Sequence, residues 1–222
     1  MNSLDFTFAG QSLVALASGA LWWPHQKLLC VSDLHLGKSE RMARRGGPVL
    51  PPYDSRDTLD RMAADLDRTG ATTMVCLGDS FDDLDASKAL NRQDKLRIAT
   101  MQAGRNWIWI EGNHDPGPIE LGGAHLIEWA CDGLIFRHIA DPDGQCEVSG
   151  HYHPKATLRA KGWAITRPAF LLDEKRLILP AYGTYTGGLR SSDHAVSHLM
   201  ARDALAILTG PHPQKIPMPR SG

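Results

Sequence analysis

The sequence predicts an α/β fold in which a parallel, helix-connected half packs against a second half built of short antiparallel strands. Two observations carry this. In the first half, apolar runs at residues 28–32, 72–77 and 106–110 alternate with helical patterns, and each run ends in a polar cluster. Beyond about residue 126 the helical periodicity stops, and short strand-like runs separated by turn residues take over. A chain of 222 residues with 42% apolar and 22% charged residues fits one ordinary domain and excludes a small stapled scaffold.

Val14-Ala15-Leu16 and Leu21-Trp22-Trp23 flank Ser18-Gly19, which predicts a hairpin. Leu28-Leu29-Cys30-Val31-Ser32 is a continuous apolar run suited to a buried strand, with Asp33-Leu34-His35 at its end. From Ser55, a capping residue type, Leu59, Met62, Ala63 and Leu66 recur at helical spacing until Gly70. Residues 72–77 read as a strand ending in Gly78-Asp79, and residues 87–102 as one helix. The third strand, 106–110, holds Trp107 and Trp109 and runs into Gly112-Asn113-His114-Asp115. This β-α-β-α-β rhythm implies parallel strands with right-handed crossovers.

In the second half, runs at 126–131 and 134–139 bracket Asp132-Gly133, a hairpin signal. Further strands are expected at 147–148, 163–166, 169–172 and 177–179. The tail from Gly210, with Pro211, Pro213, Pro217 and Pro219, has little periodicity and is expected to be loosely held. The organisation is therefore a single domain over 1–209 and a proline-rich tail over 210–222.

Twenty-four Lys+Arg against 25 Asp+Glu leave a formal net charge of -1, so no global field draws in a polyanion, and any such partner must be met locally. Cys30, Cys76, Cys131 and Cys146 are widely spaced and read as buried thiols of a reducing compartment. The apolar stretch 13–23 is too short to span a bilayer and lacks signal-peptide flanks, which gives a cytoplasmic expectation with no membrane partner.

Three successive strands end in Asp33-x-His35, Gly78-Asp79 and Gly112-Asn113-His114-Asp115. In a parallel sheet such ends meet at one edge, where α/β proteins place ligands. Alternate strand residues share a side, so Asp33 and His35 can reach one metal. His138 and the cluster Gly150-His151-Tyr152-His153-Pro154 bring the set to Asp33, His35, Asp79, Asn113, His138, His151 and His153. That is too many ligands for one ion with an open position, but two ions sharing Asp79 would use them all. Two ions roughly 3.5–4 Å apart can deprotonate a water, clamp phosphate oxygens and run an in-line displacement, so phosphoester hydrolysis by metal-activated hydroxide suits the set best.

Asp33-x-His35, Gly78-Asp79-x-x-Asp82, Gly112-Asn113-His114-Asp115 and Gly150-His151-x-His153 resemble, in order, the motifs of the calcineurin-like metallophosphoesterases. The resemblance implies an αββα sandwich, two mixed sheets flanked by helices, with a dinuclear site at the strand ends. It implies that one metal takes Asp33, His35, Asp79 and His153, and the other Asp79, Asn113, His138 and His151. His114 resembles the family histidine that contacts the scissile phosphate and protonates or stabilises the leaving oxygen, with Asp115 as its orienting partner.

Asp33-Leu34-His35-Leu36-Gly37-Lys38, Leu50-Pro51-Pro52-Tyr53-Asp54, Gly150-His151-Tyr152-His153-Pro154-Lys155, Arg167-Pro168 and Leu179-Pro180-Ala181-Tyr182-Gly183-Thr184-Tyr185-Thr186-Gly187-Gly188 are similar to the DNA ligase-associated branch of that superfamily. That similarity implies a manganese-dependent DNA endonuclease or phosphodiesterase acting on single-stranded or damaged DNA, in association with an ATP-dependent DNA ligase, a helicase and an exonuclease. The donor set itself suits manganese, iron, cobalt, nickel or zinc better than calcium or magnesium. The rival substrates are a small nucleotide, a diphosphate-linked lipid precursor or a phosphomonoester, and a non-catalytic binding module is the reading from another class.

Several positions stay open between readings. His125 rivals His138 for the second metal. Asp82 is either an acid that orients a ligand or a helix cap, whereas Asp83 and Asp85 read as solvated. Lys38, Arg41, Arg44 and Arg45, against the single acid Glu40, are placed either to bind substrate phosphates or to form a solvated helix face. Lys155, Arg159, Lys161 and Arg167 form a second basic group with the same two readings. Tyr152, Tyr182 and Tyr185 are candidates for the cleft lining, with Tyr152 beside Lys38, Arg41 and Lys155 in the substrate-binding set, whereas Trp107 and Trp109 read as core.

Overall fold

In the computed structural model, residues 2–117, 120–160 and 162–220 are described. Two mixed sheets stack face to face with helices outside them. The first holds β1 (Ser3–Phe8), β2 (Gln11–Leu16), β3 (Leu21–Trp23), β4 (Leu28–Val31), β5 (Thr73–Leu77), β6 (Asn106–Ile110) and β7 (Ala124–Leu126) in chain order, antiparallel up to β4 and parallel from β4 to β7. The second comprises β8 (Glu128–Cys131), β9 (Leu134–Arg137), β10 (Glu147–Ser149), β11 (Lys155–Ala160), β12 (Trp163–Leu172), β13 (Arg176–Ile178), β14 (Leu205–Leu208) and β15 (Gln214–Pro217). Its order is β15-β14-β12-β13-β10-β9-β8, and β11 pairs with β12.

Burial explains why the central strands are apolar throughout. Along β4, Leu28 and Cys30 join the core between the sheets, while Leu29 and Val31 join the core under the helices. A strand covered on both faces has no polar side, so it reads as a continuous run. The inter-sheet core pairs Val75, Leu77, Ile108 and Ile110 with Phe136, Val148, Phe170 and Leu177. Helices α1 (Lys38–Arg44), α2 (Asp54–Thr69), α3 (Leu84–Ala89) and α4 (Arg92–Gln102) lie on the side of the first sheet. Leu59, Met62 and Leu66 of α2 and Ile98 and Met101 of α4 are packed there against Trp107 and Trp109. Each such side chain contributes roughly 1.5–3 kcal/mol of burial. The outer layer of the second sheet is thin, with α5 (His194–Ser197) and Met200 over Ala169, Leu171 and Ile178.

Several elements differ from the sequence reading. The helix expected over 87–102 is two helices, because Leu90 turns to ψ 130 and the Asn91 side chain caps α4 by accepting from the Asp94 N–H. Ser55 is not a cap: it lies inside α2, and its Oγ accepts the Gly37 N–H at 2.8 Å. The second half is not purely antiparallel, since β10 pairs parallel with both β9 and β13. One strand, β12, runs through Pro168, which lacks only an N–H; its carbonyl still accepts from Thr209 N–H at 2.9 Å. Within the tail, residues 214–217 are not loosely held: β15 pairs with β14 over Leu205↔Pro217 to Leu208↔Gln214. The four cysteines are free, and among the described residues no helix is long and apolar enough to cross a membrane.

Candidate metal centre

Parallel topology brings the strand ends together. Asp33 and His35 follow β4, Asp79 follows β5, Asn113 and His114 follow β6, His138 follows β9, and His151 and His153 follow β10. All of these strands except β9 and β10, which belong to the second sheet, lie in the first, so one edge of the sandwich collects donors from both layers.

The backbone turns sharply to deliver them. Asp33, His35, Asp79, His151 and His153 have φ of 53, 45, 46, 71 and 46°, in the left-handed region that costs a non-glycine residue about 1–3 kcal/mol. Backbone bonds hold these turns: His35 N–H donates to Asp79 C=O at 2.9 Å, Gly183 N–H to Asp33 C=O at 3.1 Å, and Gly150 N–H to His138 C=O at 2.9 Å. Close approach also fixes the glycine of the last motif. A Cβ on Gly150 would stand 1.7 Å from Ser32 Oγ and 2.7 Å from Asp33 Oδ2.

The donors form adjacent clusters. Asp33, His35 and His153 offer donor atoms within 4.8 Å of one another, and so do Asp79, His138 and His151. His153 Nε2 lies 3.1 Å from Asp33 Oδ1 and 3.4 Å from His35 Nε2. In the second cluster His138 Nε2 lies 3.4 Å from Asp79 Oδ2, 3.1 Å from Asn113 Oδ1 and 3.3 Å from His151 Nδ1. His35 Nε2 stands 4.0 Å from Asp79 Oδ2, which puts Asp79 between the clusters.

The ring tautomers show what such a centre can hold. His138 Nδ1 faces the Leu77 carbonyl at 2.8 Å, and His114 Nδ1 faces the Asp82 carbonyl at 2.9 Å. A carbonyl only accepts, so both rings donate from Nδ1, and a neutral ring then carries its lone pair on Nε2. His35 Nδ1 is likewise committed, to Asp82 Oδ1 at 2.8 Å. The Nε2 atoms of neutral His35 and His138 therefore turn lone pairs toward Asp79, and Asp33 Oδ1 is buried without a hydrogen bond. Cations between them satisfy that arrangement, so the residues fit divalent metal ions.

A proton can stand in for such a cation: burial opposes a charge on His138, but Asp79 and Asp33 outweigh it and raise the imidazole above its ordinary value. Burial pushes the Asp79 carboxyl up, but the His138 hydrogen bond and charge and the His114 N–H at 2.8 Å outweigh it and bring it to about 2. Burial likewise opposes ionisation of Asp33, and His153, His138 and Ser32 overcome it, so its carboxyl is lowered.

Of the two readings of Asp82 the helix cap falls away, since its carboxylate faces the His35 ring instead. Asp82 is buried, accepts from Arg41 Nη1 at 3.0 Å and has Lys38 Nζ at 3.8 Å. The helix cap is Asp83, whose side chain accepts the Ala86 N–H; Asp83 is also not merely solvated, since Arg44 and Arg45 bond it at 2.9 and 3.0 Å. Asp115 does not orient His114. Its Oδ2 accepts the N–H groups of Ser80 and Phe81 and its Oδ1 that of Gly112, so it ties together the turns after β5 and β6. Burial, with Asp79 alongside, holds the Asp115 carboxyl up at about 7 despite those donors. The Asp82 carbonyl orients His114 instead, a partner without a sequence signal.

His125 lies apart, its Nε2 facing the Leu121 carbonyl at 3.2 Å and its ring stacked on Trp109. His114 sits at the mouth: its side chain is 35% exposed against 4% for His35 and His138, and its Nε2 is 4.0 Å from Asp79 Oδ2. Arg44 and Arg45 are ion-paired to Asp83, Arg45 with more than half of its side chain still exposed. Tyr182 is not a cleft residue; it is buried and donates to Asp65 at 2.9 Å. Tyr152 meets His151 edge-on and leans on the outer core, and Lys155 opens β11 two residues beyond His153. Lys161 lies outside the described residues. The sequence reading also missed Ser32, whose hydroxyl donates to Asp33 Oδ2.

The family model described as calcineurin-like phosphoesterase matches residues 26–186. Among solved structures, the nuclease MPE of Pseudomonas putida is similar at 26% identity and a TM-score of 0.74, covering 96% of this chain and 100% of that one. Yfce, a phosphoesterase from E. coli, is similar at 12% identity and a TM-score of 0.40, over 86% of this chain and 99% of its own. No curated protein matches.

Proposed function

The chain belongs to the calcineurin-like phosphoesterases, and from that premise we propose that it is a manganese-dependent phosphodiesterase that cuts DNA, as an endonuclease acting on single-stranded or damaged strands. The same reading puts it in cytoplasmic DNA repair beside an ATP-dependent ligase, a helicase and an exonuclease. The family and the nuclease neighbour make it a metal-dependent phosphoesterase. The observation that carries the finer reading is the pair of adjacent donor clusters, with Asp79 of the second only 4.0 Å from His35 of the first, and the similarity to a nuclease over nearly the whole chain supports a nucleic-acid substrate.

In this reading Asp33, His35, Asp79 and His153 hold one ion, and Asp79, Asn113, His138 and His151 the other. Such ions, when bound, polarise phosphate oxygens and lower the pKa of water. The protein's own part is to keep the donors deprotonated and aimed. Asp79 stays ionised at any working pH, with its carboxyl at about 2. Leu77 C=O and Asp82 fix the His138 and His35 rings. His114, held through its Nδ1–H, presents Nε2 to solvent at the mouth, where the ring in its imidazolium form would give the Nε2 proton to the leaving oxygen and return to neutral.

The test compares hydrolysis of single-stranded DNA, a bis-aryl phosphate and an aryl phosphate with added manganese. The expected result is cleavage of DNA and the diester. Cleavage of the monoester alone would remove the DNA reading in favour of a small phosphomonoester, nucleotide or lipid diphosphate, which the net charge of -1 favours. Absence of hydrolysis with every divalent ion would leave a binding module.

A further inference from the structure

The ribbon formed by β11 and β12 projects past the edge that carries the donors. β12 runs antiparallel to β13 and pairs with it only at Leu171 and Leu172, and with β14 only from Ala169 onward, so 163–168 pair with β11 alone. β10 and β13 end at the donor edge, and the free half of β12 therefore extends beyond it.

The two faces of this ribbon differ. Opposed residues of an antiparallel pair share a face. Lys155, Thr157 and Arg159 thus lie with Pro168, Thr166 and Ala164, and Ala156 and Leu158 with Arg167, Ile165 and Trp163. Phe170 and Leu172 point into the inter-sheet core, Ala169 and Leu171 into the outer one. By alternation the Lys155-Thr157-Arg159 face continues the inner side, toward the donor cleft, and the Arg167 face continues the outer side, where Ala156 and Leu158 indeed pack. The inner face is polar, with Thr157 and Thr166 hydroxyls 2.8 Å apart and Arg159 exposed. Between Glu147 and Asp173 the sequence has no acid to neutralise it, in a chain whose net charge is -1.

We propose that the inner face of this ribbon is a track for the single-stranded DNA flanking the scissile phosphate, with Lys155, Thr157 and Arg159 meeting successive backbone groups outward from the cleft. The inference rests on the DNA reading above. Charge complementarity selects a polyanion, and continuity selects the substrate strand, because the track begins two residues after His153. Alternate residues on a strand are about 6.6 Å apart, so three of them contact several nucleotides of one extended strand.

The ribbon supplies its own control, since Arg159 and Arg167 carry the same charge on opposite faces. The full chain is titrated with a fluorescein-labelled oligothymidylate in EDTA, and the manganese-loaded chain is assayed on that strand and on bis-p-nitrophenyl phosphate. Arg159→Ala is expected to weaken binding and kcat/KM on the strand about 3- to 10-fold. It should lower the slope of log Kd against log salt by about 0.7 and leave the aryl diester unaffected. Arg167→Ala should change the strand values less than 2-fold, by about the residual long-range charge effect. Equal losses in the two variants, or no loss in Arg159→Ala while the wild type cuts the strand, would overturn the track alone. A wild type that hydrolyses the aryl diester but neither binds nor cuts the strand would overturn the DNA reading and the track with it.

Discussion

Removing the Asp82 carboxylate tests whether the metal centre depends on a residue outside the seven proposed ligands. Asp82 is buried and fixes the His35 ring through a 2.8 Å contact to Nδ1 while Arg41 and Lys38 balance its charge. Its loss frees the imidazole to rotate and removes the acceptor that makes Nε2 more basic. Losing such a partner costs about 10- to 100-fold in metal affinity, or about 1.4–2.8 kcal/mol. Asp82→Asn keeps an acceptor without the charge and belongs at the lower end; Asp82→Ala belongs at the upper end. Arg41 and Lys38 are partly exposed and can turn to water, so the fold should survive. Calorimetric titration with manganese measures the affinity, and the manganese dependence of aryl diester hydrolysis measures its consequence. Asp83→Ala, one residue on but bound to the Ala86 N–H of α3 and to Arg41, Arg44 and Arg45 at the end of α1, should keep wild-type manganese affinity. Wild-type affinity in Asp82→Ala, or equal losses in the Asp82 and Asp83 variants, would refute the orienting role.

Gly150→Ala places a Cβ 1.7 Å from Ser32 Oγ and must push the His151 turn off Asp33; about 1–3 kcal/mol of stability and most manganese binding should go, measured by urea unfolding and calorimetry. Asp115→Ala strands three buried N–H groups, so a loss of roughly 3 kcal/mol or more is expected in urea, with a smaller loss for Asp115→Asn; unchanged midpoints would contradict this. His114→Ala should slow esters with poor leaving groups by about 10²–10⁴ and a nitrophenyl ester much less, and equal effects on both would remove its acid role. Burial raises the Asp83 carboxyl, but Ala86 N–H and Arg44 outweigh it and leave it lowered. Its contribution is therefore complete above the unfolded value of about 3.9 and lost as pH falls through the folded one. The acid limb of unfolding below about pH 4 should flatten in Asp83→Asn.

The parallel core was legible because strands covered on both faces leave uninterrupted runs such as Leu28-Leu29-Cys30-Val31. Edge strands left no such mark: β1 alternates buried and exposed side chains toward its end, and β15 is mostly exposed, ends on Pro217 and is flanked by Pro213 and Pro219. The parallel pairing of β10 was hidden because a three-residue strand carries no sign of direction, and its partner β13 arrives only after the β11–β12 ribbon. At the site, the residues that stand around Asp79 come from strand-end motifs visible in the sequence; His138 is among them, and His125 lies apart on Trp109. What misled was adjacency. Asp115 follows His114 in sequence but turns its carboxylate to the backbone of the β5 turn, and a main-chain carbonyl at Asp82, which any residue type could supply, holds His114 instead. Tyr182 looked exposed among glycines because the buried Asp65 that receives its hydroxyl lies far off in sequence.

Native mass spectrometry of the manganese-loaded chain counts ions directly at the centre on which the function rests. Two divalent ions per chain are predicted for the wild type, one for His138→Ala, and at most one for Asp79→Asn, because only Asp79 serves both clusters. A wild type that holds a single ion, or an Asp79→Asn variant that keeps two, would contradict a dinuclear centre shared by Asp79.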